Sequence, residues 1–223
     1  MENNVGNTNL SLYHIIRESS ITSEKAPLII LLHGYGSDEN DLFSFAPELP
    51  EELFVISLRA PYTLEPFGNA WYAINFDSNQ NKWSNDEQAA NSRDLIAKFI
   101  DEAIENYPVK NNSVTLLGFS QGTILSYAVA LNYPGKIRNV IALSGYINKE
   151  LLPEQADVFS YKHLDFYCSH GIEDQVIPVE WGRQAQPFLN SLNIKNKYSE
   201  FPVGHGVSPQ NFFEFREWLK NRI

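Results

Sequence analysis

The feature that most constrains this chain is an alternation. Short runs rich in β-branched and apolar residues recur along it, and most are separated by stretches that read as helix. The runs are "SLYHIIRES", "PLIILLHG", "ELFVISLRA", "SVTLLGFS", "IRNVIALSG", "LDFYCSHG" and "NKYSEFPVG". Such runs, bounded by turn residues, suit buried strands. Between them, Ser84-Asn85-Asp86-Glu87 has capping-box spacing and opens a helix to about Tyr107, closed by Pro108. A second helix runs from Thr123 to Asn132, and "PVEWGRQAQPFLNSLN" and "SPQNFFEFREWLKNRI" read as the last two. Apolar strands alternating with helices predict an α/β fold whose mostly parallel central sheet is flanked by helices. With no repeat, low-complexity segment or linker, residues 1–223 read as a single domain, with residues 1–10 a flexible polar start.

In such a sheet, ligands bind outside the carboxyl ends of the strands. That rule singles out His33-Gly34-Tyr35-Gly36, Ser120, Gly145-Tyr146, Gly171 to Asp174, and Gly204-His205-Gly206. Ser120 stands out because Gly118 and Gly122 flank it at a strand-to-helix corner. A corner of that kind presents a hydroxyl at the sheet edge, and residues without side chains let strand and helix pass closely. A serine hydroxyl attacks well only when a base takes its proton and an acid orients that base. "SHGIEDQVIP" supplies Asp174, with Glu173 adjacent as a chemically adequate competitor, and "FPVGHGVSPQ" supplies His205. Both fall in loops after later strands, in the order serine, acid, histidine. Asp165 begins its strand, at the wrong end of the sheet. The backbone N–H groups of Gln121, just after the serine, and of Tyr35 are the expected donors to an anionic tetrahedral intermediate.

Composition narrows the partners. The net charge of −10 is spread along the chain, which argues against nucleic acid and against strong attraction to anionic membranes. The Asn-rich start lacks the pattern of a signal peptide, and no apolar run approaches a membrane span, so no stable membrane insertion is expected. Cys168 is the single cysteine and reads as packing, so a reducing, cytoplasmic setting is expected. His33 and His170, each ending a strand, read as loop braces. No His/Cys spacing suits a metal and no glycine-rich phosphate loop appears, so no metal and no cofactor are expected.

Taken together, these motifs resemble the phospholipase/carboxylesterase family of α/β-hydrolases, which includes acyl-protein thioesterases. "LLHGYGSDENDL" is similar to its oxyanion loop and "LLGFSQGTILSYAVAL" to its nucleophile corner. "HGIEDQVIP" and "GHGVSPQNFFEFREWL" match its acid loop and its histidine with the closing helix. The resemblance runs from about Pro27 to the C-terminus and is loose over Pro61 to Trp83. It implies an α/β-hydrolase fold and ester or thioester hydrolysis, with Ser120, Asp174 and His205 as triad. It also favours Asp174 over Glu173 as the acid. Tyr35 stands where the family commonly has Leu, Thr123 where Gly is frequent, and Gln175 where Pro is frequent.

The expected substrate is a small-molecule ester or acyl compound. Phe67, Trp71, Tyr72, Phe76 and Trp83 of the aromatic segment, with Tyr146 and Ile177 beside the triad, are the candidate substrate-binding residues. The chain leaves no room for a large cap domain. Exposed aromatics would mark either a homodimer face or the substrate groove. A peptidase or amidase on the same fold is the first alternative function, and a non-catalytic binding module the second.

Overall fold

The computed structural model describes residues 4–76, 82–155 and 157–223, with no side-chain detail for residues 4, 75, 76, 82 and 83. The strands are β1 (Asn4–Val5), β2 (His14–Arg17), β3 (Ala26–Leu32), β4 (Phe54–Leu58), β5 (Tyr62–Thr63), β6 (Asn69–Ala70), β7 (Ile74–Phe76), β8 (Lys82–Ser84), β9 (Val109–Phe119), β10 (Asn139–Leu143), β11 (Asp165–Gly171) and β12 (Lys195–Phe201). The helices are α1 (Asn40–Phe43), α2 (Asp86–Asn106), α3 (Gln121–Asn132), α4 (Val179–Gly182), α5 (Ala185–Ser191) and α6 (Pro209–Lys220). The main sheet has the order β1-β2-β4-β3-β9-β10-β11-β12. It is parallel from β4 to β12, and β1 and β2 extend it antiparallel.

Strand β3 shows why the sheet lies in the middle. Leu28, Ile30 and Leu32 face one apolar cluster with residues of α2 and α3, whereas Ile29 and Leu31 face a second with Phe215 and Leu219 of α6. All five are fully buried, each worth about 1.5–3 kcal/mol of transfer free energy. A strand buried on both faces needs no polar alternation, which is why the run reads as continuously apolar. Helix α3 is buried on every side from Gln121 to Leu131, between the sheet and α2.

Three local expectations give way. The cap of α2 is Asn85 rather than Ser84, because the Asn85 side chain accepts the Gln88 amide at 3.0 Å. "PVEWGRQAQPFLNSLN" folds as two short helices, since Pro187 has no N–H and would clash with a carbonyl four residues back in one continuous helix. From Asn4 onward the polar start is tied down rather than loose. Val5 pairs with Ile15, the Gly6 amide donates to His14, and the Asn7 amide donates to the Tyr107 hydroxyl at 2.7 Å.

The aromatic segment between β4 and α2 forms two small antiparallel hairpins, β5–β6 and β7–β8, outside the main sheet. Among the described residues no helix is long and apolar enough to cross a membrane.

Candidate active site

Strand β9 ends at Phe119 and α3 starts at Gln121, so the whole change of direction falls on Ser120. Its φ of 54° lies in the left-handed region, a strain of about 1–3 kcal/mol for a residue with a side chain. Contacts on all sides hold that conformation. A Cβ on Gly122 would stand 2.0 Å from the Leu32 carbonyl oxygen, and one on Gly118 would stand 2.5 Å from the Gly122 backbone. Only glycine allows this approach. The Ser120 amide donates to Leu143 on the neighbouring strand at 3.0 Å. Thr123, where the family frequently has Gly, adds a lock: its Oγ1 lies 2.7 Å from the Gly118 and Leu143 carbonyls and accepts the Leu143 amide.

Serine is a favoured N-cap because its hydroxyl usually accepts a helix amide. At the N-cap of α3 Ser120 makes no such bond. The positive φ turns Oγ elsewhere, to 2.9 Å from Nε2 of His205. Nδ1 of His205 lies 2.7 Å from Oδ2 of Asp174. An ionised carboxylate only accepts, so Nδ1 carries the hydrogen and Nε2 is free to accept from Ser120. The ring of Phe119 packs 4.9 Å from the imidazole centroid.

Asp174 is held in turn. Its Oδ1 accepts the amides of Val176 and Ile177 at 2.8 and 2.9 Å. Burial alone would raise its pKa, but the His205 imidazole and those two amides outweigh burial and hold the carboxyl below its usual range. Glu173, the sequence competitor, is exposed, and its backbone binds Val203 instead. His170 braces the same loop: its Nε2 lies 2.8 Å from the Ile177 carbonyl and 3.3 Å from Asp174. His33 braces its own loop through the Gly34 carbonyl and the Ala60 amide. Cys168 is buried beneath the Tyr127 hydroxyl, and burial pushes its thiol up to about 12, which removes it as a nucleophile.

A cavity of about 570 Å³ opens beside these groups, lined by Ser120, His205 and Gln121. Tyr35, Tyr72, Tyr146 and Ile177 also line it. The Gln121 amide is the first of α3, where the helix offers no carbonyl partner. Two expected pocket residues are elsewhere. Trp71 is wholly buried and its indole donates to the His33 carbonyl, because a large ring with a satisfied N–H is more stable in the core. Phe67 is 79% exposed beside Gly36 and Ser37, on a separate shallow depression. The side chains of Phe76 and Trp83 lie outside the described residues. Ile74, Val176 and Trp181 line the cavity but were not singled out in the sequence, where they read as ordinary strand, loop and helix residues.

This topology, with its bend after a central strand, is that of the α/β-hydrolases. A carboxylesterase structure from Bacillus cereus superposes with a TM-score of 0.82 over 97% of both chains, at 18% identity. Residues 16–223 match the family model described as Phospholipase/Carboxylesterase, and the chain belongs to that family. Acyl-protein thioesterase 1 of Debaryomyces hansenii is 25% identical over 223 residues, covering 92% of this chain and 94% of that protein. An Arabidopsis thaliana relative named "Probable carboxylesterase SOBER1-like" is 30% identical over 118 residues, 52% of this chain. The chain spans less than half the length of two plant relatives, 44% of that one and 46% of another from Oryza sativa.

Proposed function

We propose that this chain hydrolyses carboxylic esters through an acyl-enzyme formed on Ser120. The observation that carries the reading is the continuous hydrogen-bonded line from Asp174 through His205 to Ser120, at the wall of a cavity. His205 Nε2 takes the Ser120 proton as Oγ attacks the ester carbonyl. The negative oxygen of the tetrahedral intermediate accepts hydrogen bonds from the Gln121 and Tyr35 amides. Collapse breaks the bond to the leaving oxygen, which receives the proton from His205. Water, deprotonated by the same nitrogen, then attacks the acyl carbonyl and releases the acid, with the proton returned to Ser120. Asp174 keeps the imidazole in the reactive tautomer and stabilises its cation. The family and its thioesterase relative extend the reading to thioesters, whose carbonyl follows the same path.

The test is hydrolysis of p-nitrophenyl esters from acetate to palmitate by wild type and Ser120→Ala. Turnover is expected in the wild type and a loss of about 10⁴-fold or more in the variant, with the fold retained. Equal rates in the two proteins would remove Ser120 as nucleophile. The chain length giving the highest kcat/KM measures the acyl site.

A further inference from the structure

The cavity lined by Ser120, His205, Val176 and Ile177 also has a wall of different character. There Tyr72 from the loop after β6, Ser84 of β8, Asp86 of α2, and Tyr146 and Asn148 from the loop after β10 come together. Ser84 lies near both phenols, Tyr72 and Tyr146. Burial holds both phenols above the usual tyrosine range, and the nearby Asp86 carboxylate adds to it, so both stay protonated and neutral. Asn148 Nδ2 donates to Asp86 Oδ1 at 3.2 Å. Trp181 meets Tyr146 edge-on, with ring centroids 5.1 Å apart.

Asp86 is not engaged in capping its own helix, because Asn85 does that. Among the described residues lining the cavity there is one carboxylate and no Lys or Arg. A plain alkyl chain laid against this wall would strip water from Ser84, Asn148 and Asp86 and return no hydrogen bonds. A carboxylate or phosphate would meet Asp86 with no described counter-charge. Aromatic rings together with one carboxylate are the chemistry that holds an alkylammonium ion.

We propose that this wall is an ammonium subsite: the preferred ester carries a positively charged alkylammonium group that reaches Asp86, Tyr72 and Tyr146 while its carbonyl stands at Ser120. The inference rests on the ester-hydrolase reading and narrows its substrate class. The charge belongs either to the acyl part or to the alcohol part, and the subsite chemistry is the same for both.

Two isosteric pairs test it. For the acyl side, p-nitrophenyl 6-(trimethylammonio)hexanoate is compared with p-nitrophenyl 7,7-dimethyloctanoate. For the leaving-group side, butyrylthiocholine is compared with S-(3,3-dimethylbutyl) thiobutyrate. In at least one pair kcat/KM should favour the cation by about 5–30-fold, the range of a desolvated cation–aromatic contact aided by an exposed carboxylate. In Asp86→Asn, which keeps the side-chain shape, that ratio should fall by about threefold or more. Esters cleaved with no preference for the cation in either pair would overturn this inference alone. A preference unchanged in Asp86→Asn would overturn it equally. If the wild type cleaves no ester, p-nitrophenyl acetate included, the hydrolase reading fails and this inference falls with it.

Discussion

The bend at Ser120 and the aromatic segment between β4 and α2 border one cavity, yet they are held by different means. The bend is fixed mainly by backbone against backbone, with the Thr123 hydroxyl as one added tie: Gly122 lies on the Leu32 carbonyl, and the Ser120 amide reaches Leu143. The segment is fixed largely by long side chains reaching its backbone. Gln121 accepts the Trp71 amide and donates to the Tyr72 carbonyl, both at 2.8 Å, and Gln88 accepts the Ala73 amide at 2.8 Å. The Ser92 hydroxyl donates to the Trp71 carbonyl. Placement of the reacting atoms therefore belongs to the sheet, and the shape of the cavity's other wall belongs to a few replaceable side chains. Gln121 joins the two, with its amide at the start of α3 and its side chain on the segment.

Substitutions separate these two kinds of support. After Ser120→Ala, the largest expected effect is Asp174→Asn, which removes the acceptor that fixes the His205 tautomer and should lower kcat by about 10³–10⁴-fold in p-nitrophenyl ester assays. Its stability effect has a pH signature. Because the folded-state pKa of Asp174 is depressed, its stabilisation is complete above the unfolded value of about 3.9 and is lost as pH falls through the lower folded value. The Tm difference between wild type and Asp174→Asn should narrow as the solution is taken below about pH 4.

Gly122→Ala comes next. The added methyl cannot fit against the Leu32 carbonyl without moving β3 or α3, at about 1–3 kcal/mol of overpacking. A Tm drop of about 2–12 °C follows by thermal melt, together with lost activity, because Ser120 moves with the bend. Gln121→Ala is smaller and more selective. It leaves the Trp71 amide and Tyr72 carbonyl unpaired, about 1–3 kcal/mol, while keeping its own backbone amide. KM for long p-nitrophenyl esters should rise more than kcat for the acetate falls; the reverse would mean that the segment positions the reacting atoms too. Phe67→Ser is the smallest, expected within about 0.5 kcal/mol in stability and unchanged in kcat/KM. A clear loss of activity there would bring the exposed ring back into the substrate path.

The same contrast explains what could be read from residues alone. The run "LLGFSQG" states its structure in its own letters, because a buried strand, two obligatory glycines and a buried helix admit few conformations. Asp174 and His205 were legible for a related reason: strand ends in a parallel sheet converge on one edge. The aromatic segment carries no such periodicity. Trp71 and Phe67 have similar chemistry and opposite fates, one in the core and one in solvent, decided by partners distant in sequence such as His33. Asp86 and Asn148 are 62 positions apart and meet only because α2 starts beside the loop that follows β10. Local spacing could not bring them together. The N-terminal strand was hidden for a similar reason, since Asn4 and Val5 of β1 are ordered by pairing with β2 rather than by their own hydropathy.

Among the described residues strand β12 is the last in the sheet, with β11 on one side and no further strand on the other. An edge of this kind offers free amides and carbonyls to any passing strand, which is how many proteins begin to aggregate. Here the exposed border carries Lys195, Lys197 and Glu200 within seven residues, and Arg183 clasps Glu200 from beside the sheet. A second strand laid along it would have to desolvate those charges. The border should therefore resist strand addition.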